Sequence, residues 1–101
     1  RMPARELRAE LDGEQPPLVL DVRNVGELRA GRIEGSLHIP LAELPGRLEE
    51  VPKDRTVVAY CAGGTRSAIA ASLLRRHGHA QVLDLIGGYA AWRGALSPAG
   101  A

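Results

Sequence analysis

The chain has 101 residues, 45% of them hydrophobic and 3% aromatic, which predicts one domain with an aliphatic core. With 13 basic and 12 acidic residues, its net charge of +1 gives no electrostatic attraction to nucleic acid or an anionic membrane. No apolar run approaches the roughly 20 residues of a membrane span. The single cysteine excludes an internal disulfide and a multi-cysteine metal site, and it is typical of a reducing, cytoplasmic setting.

The chain opens with a predicted helix and a predicted buried strand. Pro3 suits the first turn of a helix in which Leu7 and Leu11 share one face, and Gly13 follows its end. Leu18–Val22 is apolar without alternation. That pattern indicates a strand buried on both faces of a parallel sheet.

Short elements follow this first strand. Asn24 is placed to cap a short helix over Glu27–Ala30, and Gly31 closes it. The segment SLHIP predicts a brief strand that Pro40 ends. LAELPGRLEEV predicts a helical turn or two, interrupted by Pro45-Gly46.

The second half of the chain predicts two further strands and two helices. RTVVAY is the next buried strand, and AQVLDL is the last. Between them, Thr65–His77 has the clearest helical pattern, and Gly78 is its expected stop. GGYAAWRG predicts a glycine turn into a short helix. The expected inner side of the long helix consists of Ala68, Ala71 and Leu74, with Ile69 and Leu73 adjacent.

The alternation of strands and helices predicts an α/β fold in three layers. It would have a central parallel sheet of about five strands, with helices on both faces. We expect residues 1–101 to form a single domain with a frayed tail at 97–101. A start at Arg1 suits a piece excised from a longer chain. Sites in such sheets form at the carboxyl ends of strands.

Cys61 stands where the strand TVVAY ends and the long helix begins. In the loop CAGGTRS, Gly63 and Gly64 allow positive φ angles, so successive backbone N–H groups can turn inward at a helix N-terminus. These surroundings favour a thiolate and predict a Cys61 pKa below the usual value of about 8.5. Thr65 and Ser67 carry hydroxyls that can donate hydrogen bonds or cap the helix, and Arg66 carries a permanent positive charge.

A thiolate in such an anion cradle is a nucleophile for an anionic or polarised substrate. The alternative is a small buried cysteine beside an ordinary turn, the usual role of a lone cysteine. The glycines, the hydroxyls and the helix start together favour the nucleophile. A Walker A loop is excluded, because its lysine and its spacing are absent.

CAGGTRS after an apolar strand resembles the active-site loop of the rhodanese domains, which are sulfurtransferases. LDVRNVGELRAGRIEGSLHIP and VLDLIGGYAAW are similar to two further signatures of that family, in the right order. The matching positions in these two segments are Asp21, Val22, Arg23, Glu27, Gly31, Ile33, Gly35, Ile39, Pro40, Leu85, Gly87, Gly88 and Trp92. The resemblance implies a rhodanese-like fold with Cys61 as the catalytic residue. The substrate would be bound by the loop residues Ala62, Gly63, Gly64, Thr65, Arg66 and Ser67.

The departures from the family pattern are few. Arg32, Ser36 and Leu28 stand where the family often has His, Ala and an aromatic residue. The family's first strand is reduced to a stub at Arg1 and Met2. These differences concern packing more than chemistry.

Loop length separates two reactions of this fold. Cys61 to Arg66 counts six residues, whereas the phosphatases that share the fold have a seven-residue loop, wide enough for phosphate. The narrower loop favours transfer of a sulfur atom over hydrolysis of a phosphate ester.

Asp21, Arg23 and Glu27 leave a buried strand at the same sheet edge as Cys61. We expect them to support and orient the neighbouring loops, and a local salt bridge or a helix cap is the simpler form of that role. The histidines are expected to be structural: His38 partly buried or on the surface, and His77 and His79 solvated or facing a helix dipole.

These features predict a sulfurtransferase. Cys61 would take a sulfane sulfur from thiosulfate or a persulfide and pass it, as a persulfide, to cyanide or an external thiol. We expect no cofactor, metal, nucleic acid or membrane. The expected partners are a small-molecule sulfur donor and acceptor, and a fused or docked domain in the case of a longer protein. The alternatives are a sulfur-carrying or docking module of a larger enzyme and, less favoured, a cysteine-dependent phosphatase or arsenate reductase.

Overall fold

A computed structural model describes residues 1–96, and the predicted tail at 97–101 lies outside this range. The predicted three-layer α/β fold is confirmed, with every strand pair parallel. The strands are β1 (Leu18–Asp21), β2 (Leu37–His38), β3 (Val57–Tyr60) and β4 (Val82–Asp84), in the order β2-β1-β3-β4. The helices are α1 (Ala4–Leu11), α2 (Thr65–Arg76) and α3 (Gly88–Leu96). Within residues 1–96, no helix has the length and apolar character needed to cross a membrane.

The sheet has four strands where about five were predicted. Met2 continues it beyond β4 through a single parallel bridge to Leu85. The Met2 N–H donates to the Asp84 carbonyl, and the Met2 carbonyl accepts the Ile86 N–H, each over 2.9 Å. The predicted stub at the start of the chain is therefore present, but one residue of pairing is too short to form a strand.

β3 is buried along its whole length, which explains its apolar sequence without alternation. Val57 and Ala59 contribute to one core cluster, which includes Leu74 of α2. Val58 and Tyr60 contribute to a second cluster, which includes Leu7 of α1 and Trp92 of α3. Since successive residues of a strand face opposite sides, these clusters show helices on both faces of the sheet.

The short helical segments are 3₁₀ turns. Val25–Ala30 is preceded by Asn24, whose N–H donates to Glu27 Oε1 over 3.1 Å, and it is closed by Gly31 at a φ of 116°. Two further 3₁₀ turns, Leu44–Gly46 and Leu48–Glu50, take the place of the predicted helical turns around Pro45-Gly46.

α2 begins and ends within a residue of its prediction, but part of the predicted inner side is wrong. Ala68 is exposed, and the Ile69 side chain is 54% exposed. Ser67 faces Cys61 across the loop, and the other buried residues of the helix follow it at helical spacing on the same side. The buried residues of α2 are Ser67, Ala70, Ala71 and Leu74.

Candidate active site

The Cys61 side chain lies directly after β3 and is 1% exposed. The backbone N–H groups of Gly64 and Ser67 both donate to its Sγ, over 3.1 and 3.4 Å. α2 begins at Thr65, so the unpaired N–H groups of its first turn lie beside the sulfur. Two N–H donors and a helix N-terminus therefore stabilise negative charge on this atom.

The Ser67 hydroxyl makes the side-chain contact with the sulfur. The thiol S–H donates to Ser67 Oγ over 3.5 Å, and the hydroxyl donates to the Gly64 carbonyl over 3.1 Å. Ser67 is fully buried. Because a hydroxyl both donates and accepts, the same contact can serve the ionised sulfur once the hydroxyl turns.

The pKa of Cys61 is held below its ordinary value by hydrogen bonds. Burial acts the other way and raises the pKa, since it penalises the charged form. The Ser67 hydroxyl and the N–H groups of Ser67, Gly64 and Gly63 outweigh burial and lower the pKa of the Cys61 thiol. The predicted direction of the shift is confirmed.

The two loop glycines differ in conformation. Gly64 has a φ of 111° and directly precedes α2, whereas Gly63 does not adopt the positive φ suggested for it. One left-handed residue is enough to turn the chain from β3 into the helix. The suggested cap by Thr65 or Ser67 is wrong, because Gly64 occupies the cap position and no side chain caps the helix.

The outward side of the loop is held by the start of α3. The Tyr89 N–H donates to the Cys61 carbonyl over 2.7 Å, and the Ala90 N–H donates to the Ala62 carbonyl over 3.2 Å. Gly88 permits this close approach: its φ is 60°, and a Cβ at this position would lie 2.7 Å from the carbonyl carbon of Ala62. The glycine pair of the last motif is thus part of the loop's support.

Arg66 does not reach the sulfur in this structure. Its Nη1 and Nη2 donate to Glu27 Oε1 and Oε2 over 2.6 and 2.9 Å, forming a bidentate ion pair. Both side chains are about one-third exposed. The Arg66 guanidinium lowers the pKa of Glu27 to about 2. This pair joins the loop that carries Cys61 to the 3₁₀ turn Val25–Ala30.

Asp21 and Arg23 form a buried ion pair. Arg23 Nη2 donates to Asp21 Oδ2 over 2.8 Å, and Arg23 Nε donates to Oδ1 over 3.0 Å. Arg23 also donates to the carbonyls of Gly31 and Glu27. Burial raises the pKa of Asp21, but the hydrogen bonds from Arg23 and Tyr60 outweigh it and lower the pKa. These contacts are consistent with the supporting role expected of both residues.

Two tyrosines, which the sequence did not point to, take part in this network. The Tyr60 hydroxyl donates to Asp21 Oδ2 over 2.7 Å and accepts the Ile33 N–H over 3.1 Å. The Arg23 guanidinium lies over the Tyr60 and Tyr89 rings, 5.2 and 4.6 Å from their centroids. A tyrosine at the end of a buried strand needs a hydrogen-bond partner for its hydroxyl, and this requirement could have indicated the role of Tyr60 from the sequence.

Two departures from the family pattern lie beneath this network. Ser36 Oγ is 3.4 Å from the Tyr60 hydroxyl, and Arg32 donates to both Ser36 Oγ and its carbonyl. They belong to the packing below the site, as the sequence suggested.

The histidines occupy structural positions. His38 is half-buried, with its Nε2 2.7 Å from the Arg23 carbonyl. His77 pairs with the exposed Glu49. His79 is buried, not solvated: its ring nitrogens lie 3.1 Å from the Leu74 carbonyl in the last turn of α2 and 2.8 Å from the Val51 carbonyl.

A cavity of about 230 Å³ opens beside the active-site loop. Its walls come from the loop, from the 3₁₀ turn Val25–Ala30 and from the first turns of α3. The residues that line it are Arg23, Glu27, Ala30, Ala62, Tyr89, Ala90 and Arg93.

The parallel sheet, with helices on both faces, carries a buried cysteine at a strand end, and a six-residue loop closes on the cysteine sulfur. This arrangement defines the class of protein. The chain belongs to the rhodanese-like domain family, whose sequence model matches residues 3–95. A sulfurtransferase of Allochromatium vinosum is 38% identical over 89 residues, which cover 88% of this chain and 83% of that protein. The crystal structure of a rhodanese-related protein from Thermoplasma volcanium superposes with a TM-score of 0.86 at 32% identity, covering 96% of this chain and 93% of that chain.

Another relative is much longer than this chain. The probable adenylyltransferase/sulfurtransferase MoeZ of Mycobacterium tuberculosis is 36% identical over 96 residues. The match covers 93% of this chain and 24% of that protein. A domain of this kind thus occurs as one part of a larger chain.

Proposed function

We propose that the protein is a sulfurtransferase that carries sulfur as a Cys61 persulfide. The observation that carries the proposal is the convergence of the Gly64 and Ser67 N–H groups on Cys61 Sγ at the start of α2. A lowered thiol pKa provides the thiolate, which is the attacking form. Membership of the rhodanese-like family and the sulfurtransferase of A. vinosum support the same reaction class.

The first half-reaction loads the sulfur. With thiosulfate as donor, the Cys61 thiolate attacks the outer sulfur, a new S–S bond forms at Sγ, and the original S–S bond breaks. The electron pair of that bond leaves with sulfite, so no external oxidant or reductant is needed. The terminal sulfur of the persulfide then carries negative charge, which the N–H groups of residues 62–67 would stabilise, as in oxyanion-type sites.

The second half-reaction unloads the sulfur. Cyanide takes the terminal sulfur to form thiocyanate, and a thiolate takes it to form a new persulfide, so that Cys61 leaves as the thiolate in both cases. These 101 residues contain one cysteine, so an acceptor thiol must come from outside them. A lone nucleophilic cysteine of this kind suits a reducing, cytoplasmic compartment.

Phosphatase activity is the less favoured alternative. The N–H donors lie 3.1 and 3.4 Å from Sγ, and Arg66 is engaged by Glu27. A phosphatase needs space for a phosphate group above the sulfur and charged donors directed at its oxygens. The short loop and the paired arginine therefore favour sulfur.

The mass of the intact protein tests the proposal. After incubation with thiosulfate or glutathione persulfide and removal of the small molecules, we expect the mass to rise by one sulfur atom and to return on addition of cyanide. Cys61→Ser should show no gain while keeping its circular dichroism spectrum. A gain of sulfur by Cys61→Ser, or hydrolysis of an aryl phosphate without any gain of sulfur by the native chain, would contradict the proposal.

The match to one part of MoeZ favours a second role, as a sulfur-carrying module in a longer protein. The two roles share the Cys61 persulfide and differ in the acceptor. Multiple turnovers with a small donor and a small acceptor would favour the independent enzyme. Loading without turnover, relieved by a protein acceptor, would favour the module.

A further inference from the structure

Arg66 lies in the loop between the two residues whose N–H groups reach the sulfur. Gly64 and Ser67 donate these N–H groups to Cys61 Sγ over 3.1 and 3.4 Å. The Arg66 side chain is bound elsewhere, since its Nη1 and Nη2 donate to Glu27 Oε1 and Oε2 over 2.6 and 2.9 Å. The backbone of Arg66 is thus part of the sulfur site, while its charge is part of an ion pair.

Glu27 is held on the other side of this pair by the turn that carries it. Its Oε1 also accepts the Asn24 N–H over 3.1 Å, at the start of the 3₁₀ turn Val25–Ala30. The buried Arg23 guanidinium donates to the carbonyls of Glu27 and Gly31, over 3.4 and 2.9 Å. These bonds fix the turn in its middle and at its end, so the Glu27 carboxylate has a firm support.

The two charges of the pair neutralise each other. The Arg66 guanidinium lowers the pKa of Glu27 to about 2, so both groups are ionised at neutral pH. Two parallel hydrogen bonds between a guanidinium and a carboxylate also fix the orientation of the two groups, which a single contact between point charges does not. Such a pair attracts an incoming anion little, but it joins the loop to the turn in a defined geometry.

We propose that Arg66 is a positioning residue: through its pair with Glu27, it keeps the Gly64 and Ser67 N–H groups directed at the sulfur. It does not recruit the sulfur donor by its charge. The inference rests on the proposed sulfurtransferase function for its effect on turnover. The family resemblance implies that Arg66 binds substrate, whereas the ion pair commits its guanidinium to Glu27.

The variant Glu27→Gln distinguishes position from charge. It places an amide NH₂ group against a guanidinium N–H, so the bidentate pair is lost while Arg66 keeps its charge. If Arg66 acted by charge, its release would stabilise the Cys61 thiolate and attract thiosulfate. If it acts by position, a looser loop weakens the N–H contacts with the sulfur. We expect a higher pH midpoint for alkylation by iodoacetamide, and a kcat/KM for thiosulfate lower by about two- to fivefold.

Two changes at Arg66 complete the test. Lysine keeps the charge but cannot form two parallel hydrogen bonds, so Arg66→Lys should lose nearly as much kcat/KM as Arg66→Gln. Because Arg66 and Glu27 act through one pair, the double variant Glu27→Gln/Arg66→Gln should lose no more than either single variant. Glu50→Gln is the matched control, since Glu50 forms a similar bidentate pair with Arg47 in the turn Leu48–Glu50. Both readouts should stay at their native values in this control.

The outcomes separate this inference from the proposed function. Both side chains of the pair are about one-third exposed, so we expect folded variants, which circular dichroism checks. A midpoint that falls or stays in Glu27→Gln, a kcat/KM for thiosulfate that rises or stays, or full activity of Arg66→Lys overturns the inference. Failure of the native chain to take sulfur from any donor would refute the proposed function instead. Iodoacetamide is uncharged and needs no sulfur donor, so the alkylation result would still decide how Arg66 acts on the thiol.

Discussion

Cys61 Sγ and Ser67 Oγ lie 3.5 Å apart at the two ends of the active-site loop, and both side chains are buried. The Ser67 N–H also reaches the sulfur, over 3.4 Å. One residue of α2 therefore contributes both a side-chain and a backbone hydrogen bond to the candidate nucleophile. The start of the helix and the reactivity of the thiol are coupled through Ser67.

Ser67→Ala is expected to raise the pKa of Cys61, because it removes a hydrogen bond that lowers it while burial still favours the neutral thiol. The rate of alkylation by iodoacetamide follows the thiolate fraction. Its midpoint in pH should therefore move upward in Ser67→Ala, because the thiolate loses the hydrogen bond from this hydroxyl. Ser72→Ala, on the same helix, should leave it unchanged. A midpoint that stays or falls in Ser67→Ala would argue against this coupling.

Asp21→Asn is expected to destabilise the fold by about 3–5 kcal/mol, because it leaves the buried Arg23 without its counter-charge. Since the pKa of folded Asp21 lies below its unfolded value of 3.8, the loss is present above that pH. The difference from the native chain should shrink as the pH falls through the folded pKa. Urea unfolding at neutral and acid pH measures both the loss of stability and its decrease at low pH. Glu43→Gln, in an exposed pair with Arg47, should have no measurable effect, and equal effects of the two changes would refute the prediction.

Gly88→Ala and Gly94→Ala are expected to act in opposite directions on the same helix. At Gly88, the new Cβ would lie 2.7 Å from the carbonyl carbon and oxygen of Ala62, at a φ of 60°, so we expect a loss of about 2–5 kcal/mol and impaired sulfur loading. At Gly94, an exposed position of α3, a Cβ meets nothing within 4 Å, and alanine should stabilise the helix by up to about 1 kcal/mol. Thermal unfolding distinguishes them. A tolerated Gly88→Ala would show that the loop does not need this contact.

Ile69→Ala is expected to change stability by no more than about 0.5 kcal/mol, since the side chain is exposed. Leu74→Ala, one and a half turns along α2, removes a fully buried side chain and should cost about 2–5 kcal/mol. Chemical denaturation of both variants tests the observed rotation of the helix. Similar losses at the two positions would support the inner side expected from the sequence alone.

The strands and the order of elements were predictable because burial leaves a local trace in the sequence. Leu18–Val22 and RTVVAY lack polar alternation, and β1 and β3 are the two inner strands of the sheet. The place of Cys61 followed from that pattern, since sites in parallel sheets lie at strand ends.

The inner side of α2 was harder to predict, because alanine suits both the core and the surface. Ala68 and Ala71 look alike in sequence, yet only Ala71 is buried. Ala71 lies on the same side of the helix as Ser67, which contacts Cys61, and these contacts exist only in the folded chain.

The ion pairs and hydrogen bonds around the site depend on contacts between residues that are still further apart in the sequence. Arg66 and Glu27 are 39 residues apart, as are Tyr60 and Asp21. The sequence predicts Asp21, Arg23 and Glu27 as supports near the site, but it does not predict their partners. The pairing of Glu27 with the loop arginine follows from the position of the 3₁₀ turn beside α2, which no local pattern encodes.

The hydrogen bonds from Tyr89 and Ala90 to the Cys61 and Ala62 carbonyls also bear on the order in which the chain is made. Synthesis reaches the cysteine well before it reaches α3. A nascent chain that ends before residue 88 contains the strand, the cysteine and the start of α2, but it lacks the groups that hold the loop from outside. The thiol therefore gains its finished surroundings only after α3 has left the ribosome.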